Sequence, residues 1–408
     1  MSIFKEIPPT AGFPFRLKDL LSILARKNRQ GTLENDFKGY LGVSYARLTC
    51  SGTAAFYIIL ESLKNNSTKR TVIIPSFVCP LLPLAINRAG FKARVCDINK
   101  DNFNFDIKKL EKICSEENDI LAILAIHLGG IPIDFDTIKQ ICERKRIFII
   151  EDCAQSLGAV YKGKKVGTLG DFSFFSLCRG KGVTIYEGGL IVSGKKEYFA
   201  IIDNTLERLL KKNPFSESLR LSELFGYWLF YRPFLFWFVY KLPQIYWSWR
   251  KETLRAMAEY FTIDFPLHEV SAMRNLIGHL SFLGLEGEIE KQREKAYDYL
   301  EGLRGIPGIK IITESPESRA TYPYLTLLFD SLKNAQRAQE LLKNSGLGVS
   351  RIYNSQIKDY EYLKDIIEDE DCPNARYLAQ RQITLTTSTF LAKEDLKSVV
   401  KIIKNVTG

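Results

Sequence analysis

The chain contains no Cys-x-x-Cys pair; its eight cysteines are scattered, several of them inside apolar strand-like runs. That excludes a disulfide framework and a thiolate zinc site, and reads as reduced thiols in a cytoplasmic protein. Histidine is scarce: His127, His268 and His279 stand too far apart for a shared metal ion, and no metal site is expected. No apolar run reaches the roughly 18 residues that a membrane-spanning helix needs. The opening "MSIFKEIPPTAGFPF" lacks a long apolar segment, so no secretory signal is expected. Internal repeats and low-complexity tracts are absent as well.

What is present is ordinary globular composition: 408 residues, 46% hydrophobic and 25% charged, ample for a large core and two domains. A net charge of +10 favours anionic partners. These could be phosphorylated or nucleotide-linked small molecules, an acidic membrane surface or nucleic acid, and the charge does not choose among them. Residues 16–45 read as helical, then polar. From "ARLTCSGTAAFYIILESLK" to "FDTIKQICERKRIFIIEDCAQ", apolar strand-like runs alternate with helical ones. This predicts an α/β fold with a mainly parallel sheet covered by helices on both faces. Active groups in such sheets lie at the carboxyl ends of strands, which points to Ser51–Thr53, Ser76–Cys79, His127 and Asp152–Gln155. The long helical pattern "EGEIEKQREKAYDYLEGLRG" leads into a smaller C-terminal α/β unit. The expected domains are 1–290 and 291–408, with an aromatic insert over about 204–260.

Three local groups carry chemistry. In "CSGTAA", Ser51, Gly52 and Thr53 open a helix, where free N–H groups and the helix dipole attract an anion; the plain alternative is an N-cap by Ser51 or Thr53. In "FIIEDCAQSLGA", Asp152 ends an apolar strand, and a carboxylate aimed into the crevice can hold a ring nitrogen protonated. Gln155, three residues on, can donate to a ring oxygen; the alternative for Asp152 is a solvated strand-end acid. In "DFSFFSLCRGKGVTIYEGG", Lys181 stands between Gly180 and Gly182, with Ser176 five residues earlier. A lysine that is desolvated or set beside another cation can attack a carbonyl; the alternative is an ordinary loop lysine.

These motifs, in this order and at these separations, resemble the DegT-type sugar aminotransferases, pyridoxal 5'-phosphate (PLP) enzymes of fold type I. "IPSFVCPLLPLAINRAGFKARVCDIN", "AIHLGG" and "CPNARYLAQRQITLTTSTFL" extend the resemblance over most of the chain from about residue 32 to the end, apart from about 204–260. The resemblance implies a large domain with a mainly parallel sheet, a small C-terminal α/β domain and a homodimer. It makes Lys181 the residue bonded to the cofactor carbonyl and Asp152 the partner of the pyridine nitrogen. Gln155 would stand near the ring hydroxyl, Gly52, Thr53 and Ser176 would form the phosphate cradle, and Ala154 would be the small residue on one ring face. Where members stack an aromatic ring on the cofactor, this chain has Cys79, with Phe77 as the nearby substitute. The family's asparagine-and-arginine segment has no clean match in "FPLHEVSAMRN", and its histidine- and proline-bearing loop reads "RIYNSQIK", which contains Tyr353. His127, Arg179 and Tyr353 are the candidate substrate contacts. His127 also has a structural reading, and Arg179 a solvent-facing one.

"LFGYWLFYRPFLFWFVYKLPQIYWSWR", Leu224 to Arg250, holds all four tryptophans. Pro233 and Pro243 are expected to break helices. Two readings stand side by side: a dimer interface or extra core layer, and a monotopic contact with an anionic inner membrane face, supported by flanking basic residues. The function that follows is transfer of an amino group, from glutamate by family analogy, to a keto-sugar carried on a nucleotide or lipid phosphate, in sugar or polysaccharide biosynthesis. The partners are an anionic sugar substrate and an amino donor, and nucleic acid is not among them. The rivals are a PLP enzyme of another reaction type, such as a sugar dehydratase or one acting on a membrane lipid, and a non-enzymatic regulatory protein on the same fold. Dehydratase relatives usually carry histidine where Lys181 stands.

Overall fold

The computed structural model describes residues 4–13, 31–257, 259–368 and 370–408. Residues 16–30 of the helical reading of 16–45 lie outside the described residues; within them, Leu33–Leu41 forms α1, capped by Thr32. Seven strands make the main sheet: β1 (Tyr45–Thr49), β2 (Thr71–Pro75), β3 (Lys92–Cys96), β4 (Ile120–Ile126), β5 (Phe148–Asp152), β8 (Phe172–Ser176) and β9 (Gly189–Ser193). Their order is β1-β9-β8-β5-β4-β2-β3. β3, β2, β4, β5 and β8 pair in parallel, and β9 runs antiparallel between β8 and β1. β2 and β4 are buried along their whole length, as strands covered on both faces must be.

The covering helices follow the strands: α2 (Gly52–Lys64), α3 (Leu81–Arg88), α4 (Ile107–Glu116) and α5 (Phe135–Lys145). α2 is apolar nearly all round, and eleven of its thirteen residues are buried, the signature of a helix inside a protein rather than on it. Gly90, after α3, takes the left-handed conformation (φ 77°) expected of the glycine stop. α6 (Phe199–Leu209) packs on α2, and its Ile202 and Leu206 join the main core, so the insert begins later than residue 204.

The insert proper comprises α7 (Pro214–Phe230), α8 (Pro233–Phe236), a π-helical turn (Trp237–Lys241) and α9 (Leu242–Trp249). Pro233 starts a helix rather than breaking one. Pro243 does not break one either: the path from α8 to α9 keeps helical dihedrals. Proline lacks an N–H and its ring crowds the preceding turn; the wider π turn gives that ring room. Leu224, Tyr227 and Tyr231 form a small apolar cluster with Ile277, which lies in α11 once α10 (Thr253–Ala256) is passed (α11, Ala272–Phe282). The N-terminal segment 4–13 straps the insert to the rest of the chain. Glu6 N–H donates to Pro233 C=O (2.9 Å), Gly12 N–H to Tyr231 Oη (3.0 Å), Ile7 N–H to Gly346 C=O (3.0 Å), and Phe4 packs edge-on against Trp237.

The long helix α12 (Leu285–Leu303) leads to the antiparallel sheet β10-β12-β14-β13. Its strands are β10 (Ile309–Ile312), β12 (Tyr324–Phe329), β13 (Val349–Ser350) and β14 (Gln382–Thr386), with helices α13 (Leu332–Lys343), α14 (Pro373–Arg381) and α15 (Lys393–Thr407) around it. A third small sheet, β11-β6-β7, pairs β11 (Ser318–Arg319) with β6 (Val160–Tyr161) and β7 (Lys164–Lys165). Among the described residues, no helix is long and apolar enough to cross a membrane. The eight cysteines form no disulfide, and six are buried.

Candidate active site

The chain turns from β1 into α2 at Cys50–Ser51. Ser51 Oγ accepts from Ala54 N–H (3.0 Å), so the capping reading is correct for Ser51. It does not compete with anion binding, because the N–H groups of Gly52 and Thr53 open the helix and have no acceptor within it. Gly52 is packed tightly: a Cβ there would lie 3.1 Å from Ser176 Cβ. A Cβ on Gly189 would lie 2.2 Å from the Ser51 carbonyl oxygen, so β9 approaches the helix start as only glycine allows. These contacts set the Ser176 side chain beside the first turn of α2.

Asp152 ends β5 with 7% of its surface exposed, and its Oδ1 accepts from Ala154 N–H (2.9 Å). Burial pushes its carboxyl up to about 6, against the pull of that N–H and of Lys181 and His127. A buried carboxylate with one hydrogen bond is poised for a cationic partner. Gln155 Oε1 accepts from Gly129 N–H (3.0 Å) and from the Tyr324 hydroxyl, which leaves the amide nitrogen as the end free to donate.

Lys181 rides the loop between β8 and β9. That loop is held by Leu177 N–H to Gly188 C=O (2.8 Å) and Ile185 N–H to Leu177 C=O (3.0 Å), with Val183 and Ile185 buried beneath it. Gly180 is left-handed (φ 75°), and a Cβ there would lie 2.8 Å from Thr10 Oγ1 of the strap. Gly182 meets no such restriction, so only one of the two flanking glycines is required by geometry.

One cavity of about 530 Å³ brings these groups together: Gly52, Thr53, Asp152, Gln155, Ser176 and Lys181 all line it. So do Cys79, Ala154, His127, Arg179 and Tyr353. Phe77 does not. It is buried, with its ring edge-on to Tyr353 at 5.2 Å, and so supports the wall from behind instead of substituting for the missing stacking ring. His127 lines the cavity with both ring nitrogens engaged: Nε2 meets Glu151 (3.1 Å), and Nδ1 accepts from Ile133 N–H (3.3 Å). Glu151 also accepts from the N–H groups of Gly167, Leu169 and Gly170. The ligating atoms of His127, Glu151 and Cys153 lie within 4.8 Å of one another, a grouping that histidine spacing did not foretell. His127 and Glu151 are already held by the hydrogen bonds just named, with the buried Cys153 thiol beside them. The Arg179 guanidinium lies 5.7 Å from the centre of the Tyr186 ring at the cavity wall.

Sequence reasoning missed four contributors. Tyr324, at the start of β12, orients Gln155 across 169 residues. Arg220 of α7 reaches the cavity and pairs with Glu187 (2.6 Å). Tyr260 and Phe261, just past the insert, close one side. Nothing in their local sequence marks them, because their position comes from tertiary packing. The "FPLHEVSAMRN" segment braces the insert. Arg274 is fully buried, its Nε donates to Glu217 of α7 (2.9 Å), and His268 Nδ1 stands 3.2 Å from the same carboxylate.

The residues present suit PLP: a buried carboxylate short of a cation, an amide with its donor end free, a lysine on a constrained loop, and a glycine-tight helix start beside a serine. Comparison with known proteins agrees. Over 386 residues the chain is 26% identical to the uncharacterized protein MJ1066 of Methanocaldococcus jannaschii, covering 92% of this chain and 89% of that one. It is 32% identical to the GDP-perosamine synthase of Escherichia coli O157:H7 over 177 residues, 43% of this chain and 48% of that enzyme, so it spans about half of that relative's length. In fold it matches PseC of Helicobacter pylori, an aminotransferase involved in the biosynthesis of pseudoaminic acid, with a TM-score of 0.75 at 17% identity over 99% of both chains. The profile of the DegT/DnrJ/EryC1/StrS aminotransferase family matches residues 22–213 and 248–404. With the fold, the site and both matched segments in agreement, the chain belongs to this DegT/DnrJ/EryC1/StrS family of pyridoxal-phosphate enzymes.

Proposed function

We propose that this protein is a transaminase that moves an amino group from a donor amino acid, glutamate by family analogy, to a keto group on a sugar carried by a nucleotide or lipid phosphate. One observation carries the reading: residues from five separate segments, Ser51–Thr53, Asp152–Gln155, Ser176, Lys181 and Tyr353, line one cavity. When bound, PLP supplies a protonated ring that takes up the electron pair left by a broken C–H bond. Asp152 would hold a proton on the ring nitrogen, and Gln155 would donate to the ring oxygen from its free amide end. The N–H groups of Gly52 and Thr53 and the hydroxyls of Thr53 and Ser176 take the phosphate. Ala154 leaves room for one ring face. Lys181 would hold the cofactor covalently, and its Nζ, when free, would take the proton from the substrate carbon. Arg179 and Tyr353 face the space left for the substrate. The presence of Lys181 favours transfer over dehydration.

The wider proposal is a homodimer, with residues 1–290 forming the cofactor domain and 291–408 the small one, and with the insert facing an anionic membrane. Borohydride reduction of the cofactor-loaded protein, followed by peptide mapping, should place the pyridoxyl mass on the peptide containing Lys181, and glutamate should bleach the visible absorbance. A label on another lysine overturns the Lys181 assignment, and an absorbance that no amino acid changes overturns the transaminase reading.

A further inference from the structure

Beside the cofactor cavity lies a second one, of about 600 Å³. The two share Cys79, Gln155, Phe261 and Tyr353 as a common wall. One side of the second cavity is built from Glu6, Pro9 and Thr10 of the strap and Tyr240, Lys241 and Gln244 of the insert. All six fall outside the two segments that the family profile matches. The facing side comes from Gln339 and Lys343 of α13 and from the loop Arg351–Asn354.

The polar groups in this cavity are unevenly matched. Arg351 Nε and Gln339 Nε2 are buried donors with no acceptor, a costly arrangement unless something else supplies one. The Arg351 Nη2 is already taken by the Ala379 carbonyl. Lys241 is 8% exposed, and its Nζ donates to the Lys343 carbonyl (2.6 Å). Of the two acids, Glu259 is committed: Oε1 accepts from Asn354 N–H (3.0 Å) and Nδ2 (2.9 Å), and Oε2 accepts from the Tyr360 hydroxyl (2.9 Å). Burial pushes the Glu6 carboxyl up to about 7. The lining sets three basic side chains, Lys241, Arg351 and Lys343, against two acids, Glu6 and Glu259, while burial also lowers the pKa of Lys241 and of Arg351. A group with several acceptor oxygens and negative charge fits this lining.

We propose that the second cavity is a subsite for the phosphate-bearing tail of the amino acceptor, with Lys241, Arg351 and Gln339 as its donors. The proposal rests on reading the first cavity as the aminotransferase site: the reacting carbon sits there, and the tail passes Tyr353 into the space closed by strap and insert. A nucleoside diphosphate and a lipid-linked diphosphate share the chemistry that this lining recognises.

The test uses the full-length, cofactor-loaded protein and calorimetric titration with three probes: pyrophosphate, uridine diphosphate and farnesyl diphosphate. At least one should bind, and Lys241→Met should weaken that binding about tenfold, the loss of one charge-assisted hydrogen bond. Preference for uridine diphosphate assigns a nucleotide tail, and preference for farnesyl diphosphate a lipid-linked one. Gln244→Trp, on the partly exposed helix α9, should fill the cavity and abolish probe binding even if Lys241→Met folds poorly. Both variants should keep the cofactor's visible absorbance and its bleaching by glutamate. No binding by any probe, or binding that neither variant changes, overturns the subsite. Loss of labelling at Lys181 in the unaltered protein would instead overturn the reading of the first cavity, so the two failures are separable.

Discussion

Asp152 shows how one buried side chain links stability to chemistry. Its carboxyl is raised to about 6 from an ordinary value of 3.8 because burial disfavours the charge. In the cofactor-free protein, the folded state then holds its proton more tightly than the unfolded chain does. The stability that this gives is full below about pH 4 and is lost as pH rises through about 6, amounting to roughly 3 kcal/mol. Asp152→Asn should remove that fall, so the cofactor-free variant should melt at a higher temperature than the parent at pH 7–8 and near the parent's temperature at pH 4. With cofactor, the same variant should lose most transamination, because a neutral amide cannot keep the ring nitrogen protonated; single-turnover rates with glutamate measure this. At Gly189 the constraint is steric. A Cβ 2.2 Å from the Ser51 carbonyl oxygen must push the start of α2 away from Ser176. Gly189→Ala should therefore release cofactor on dialysis that the parent retains.

At the level of the element, the insert is held by a buried ionic cluster. Burial alone would push the Glu217 carboxyl up, but hydrogen bonds from His268, Arg274 and Ser271 N–H hold it well below the usual carboxylate range. His268 is raised in turn, chiefly by its bond to Glu217. A raised histidine contributes stability below its unfolded value of about 6.5 and loses it as pH climbs through the folded value. Protection of α7 against hydrogen exchange, corrected for intrinsic rate, should thus fall on going from pH 6 to pH 9. Glu217→Gln is more severe because it strands the fully buried Arg274. It should cost about 3–5 kcal/mol, readable by chemical denaturation. The effect should reach the Lys181 loop, since Arg274 also donates to the Glu187 carbonyl and Arg220 pairs with the Glu187 carboxylate.

Across the whole molecule, the insert has two faces. Its inner face packs on the strap and on Ile277, so the extra-core-layer reading describes that half. Its outer face presents Phe234 of α8 and Leu242, Ile245 and Trp249 of α9, the last 76% exposed. Apolar rings on a basic molecule suit an anionic bilayer surface, where each nearby cation adds about 1 kcal/mol. If this face meets lipid, the unaltered protein should float with anionic vesicles at low salt and less so at high salt, and Ile245→Ser with Trp249→Ser should abolish flotation without changing cofactor absorbance. Trp237 and Phe238 are poorer probes, because both pack on Phe4 and their loss would loosen the strap. Should the face instead join two copies, the protein will stay off vesicles and the double variant will fall to a smaller species in sedimentation.

Local pattern was enough to place the strands, the helix starts and the lysine loop. An apolar β-branched run, a glycine stop and a serine before a helix each act within a few residues, so "CSGTAA", "EDCAQ" and "CRGKG" were legible without coordinates. The joining of these segments into one cavity followed from parallel strand order, which sends every β-to-α turn to the same edge. Only the tertiary structure decided what depends on distant neighbours. It placed Phe77 behind Tyr353 rather than in the cavity, engaged both nitrogens of His127, and let Pro243 continue a helix through a π turn. It also folded residues 4–13 over the insert to enclose a second cavity. No local periodicity encodes those outcomes, because they are set by contacts between separate segments, some more than two hundred positions apart, or by space that one element leaves for another.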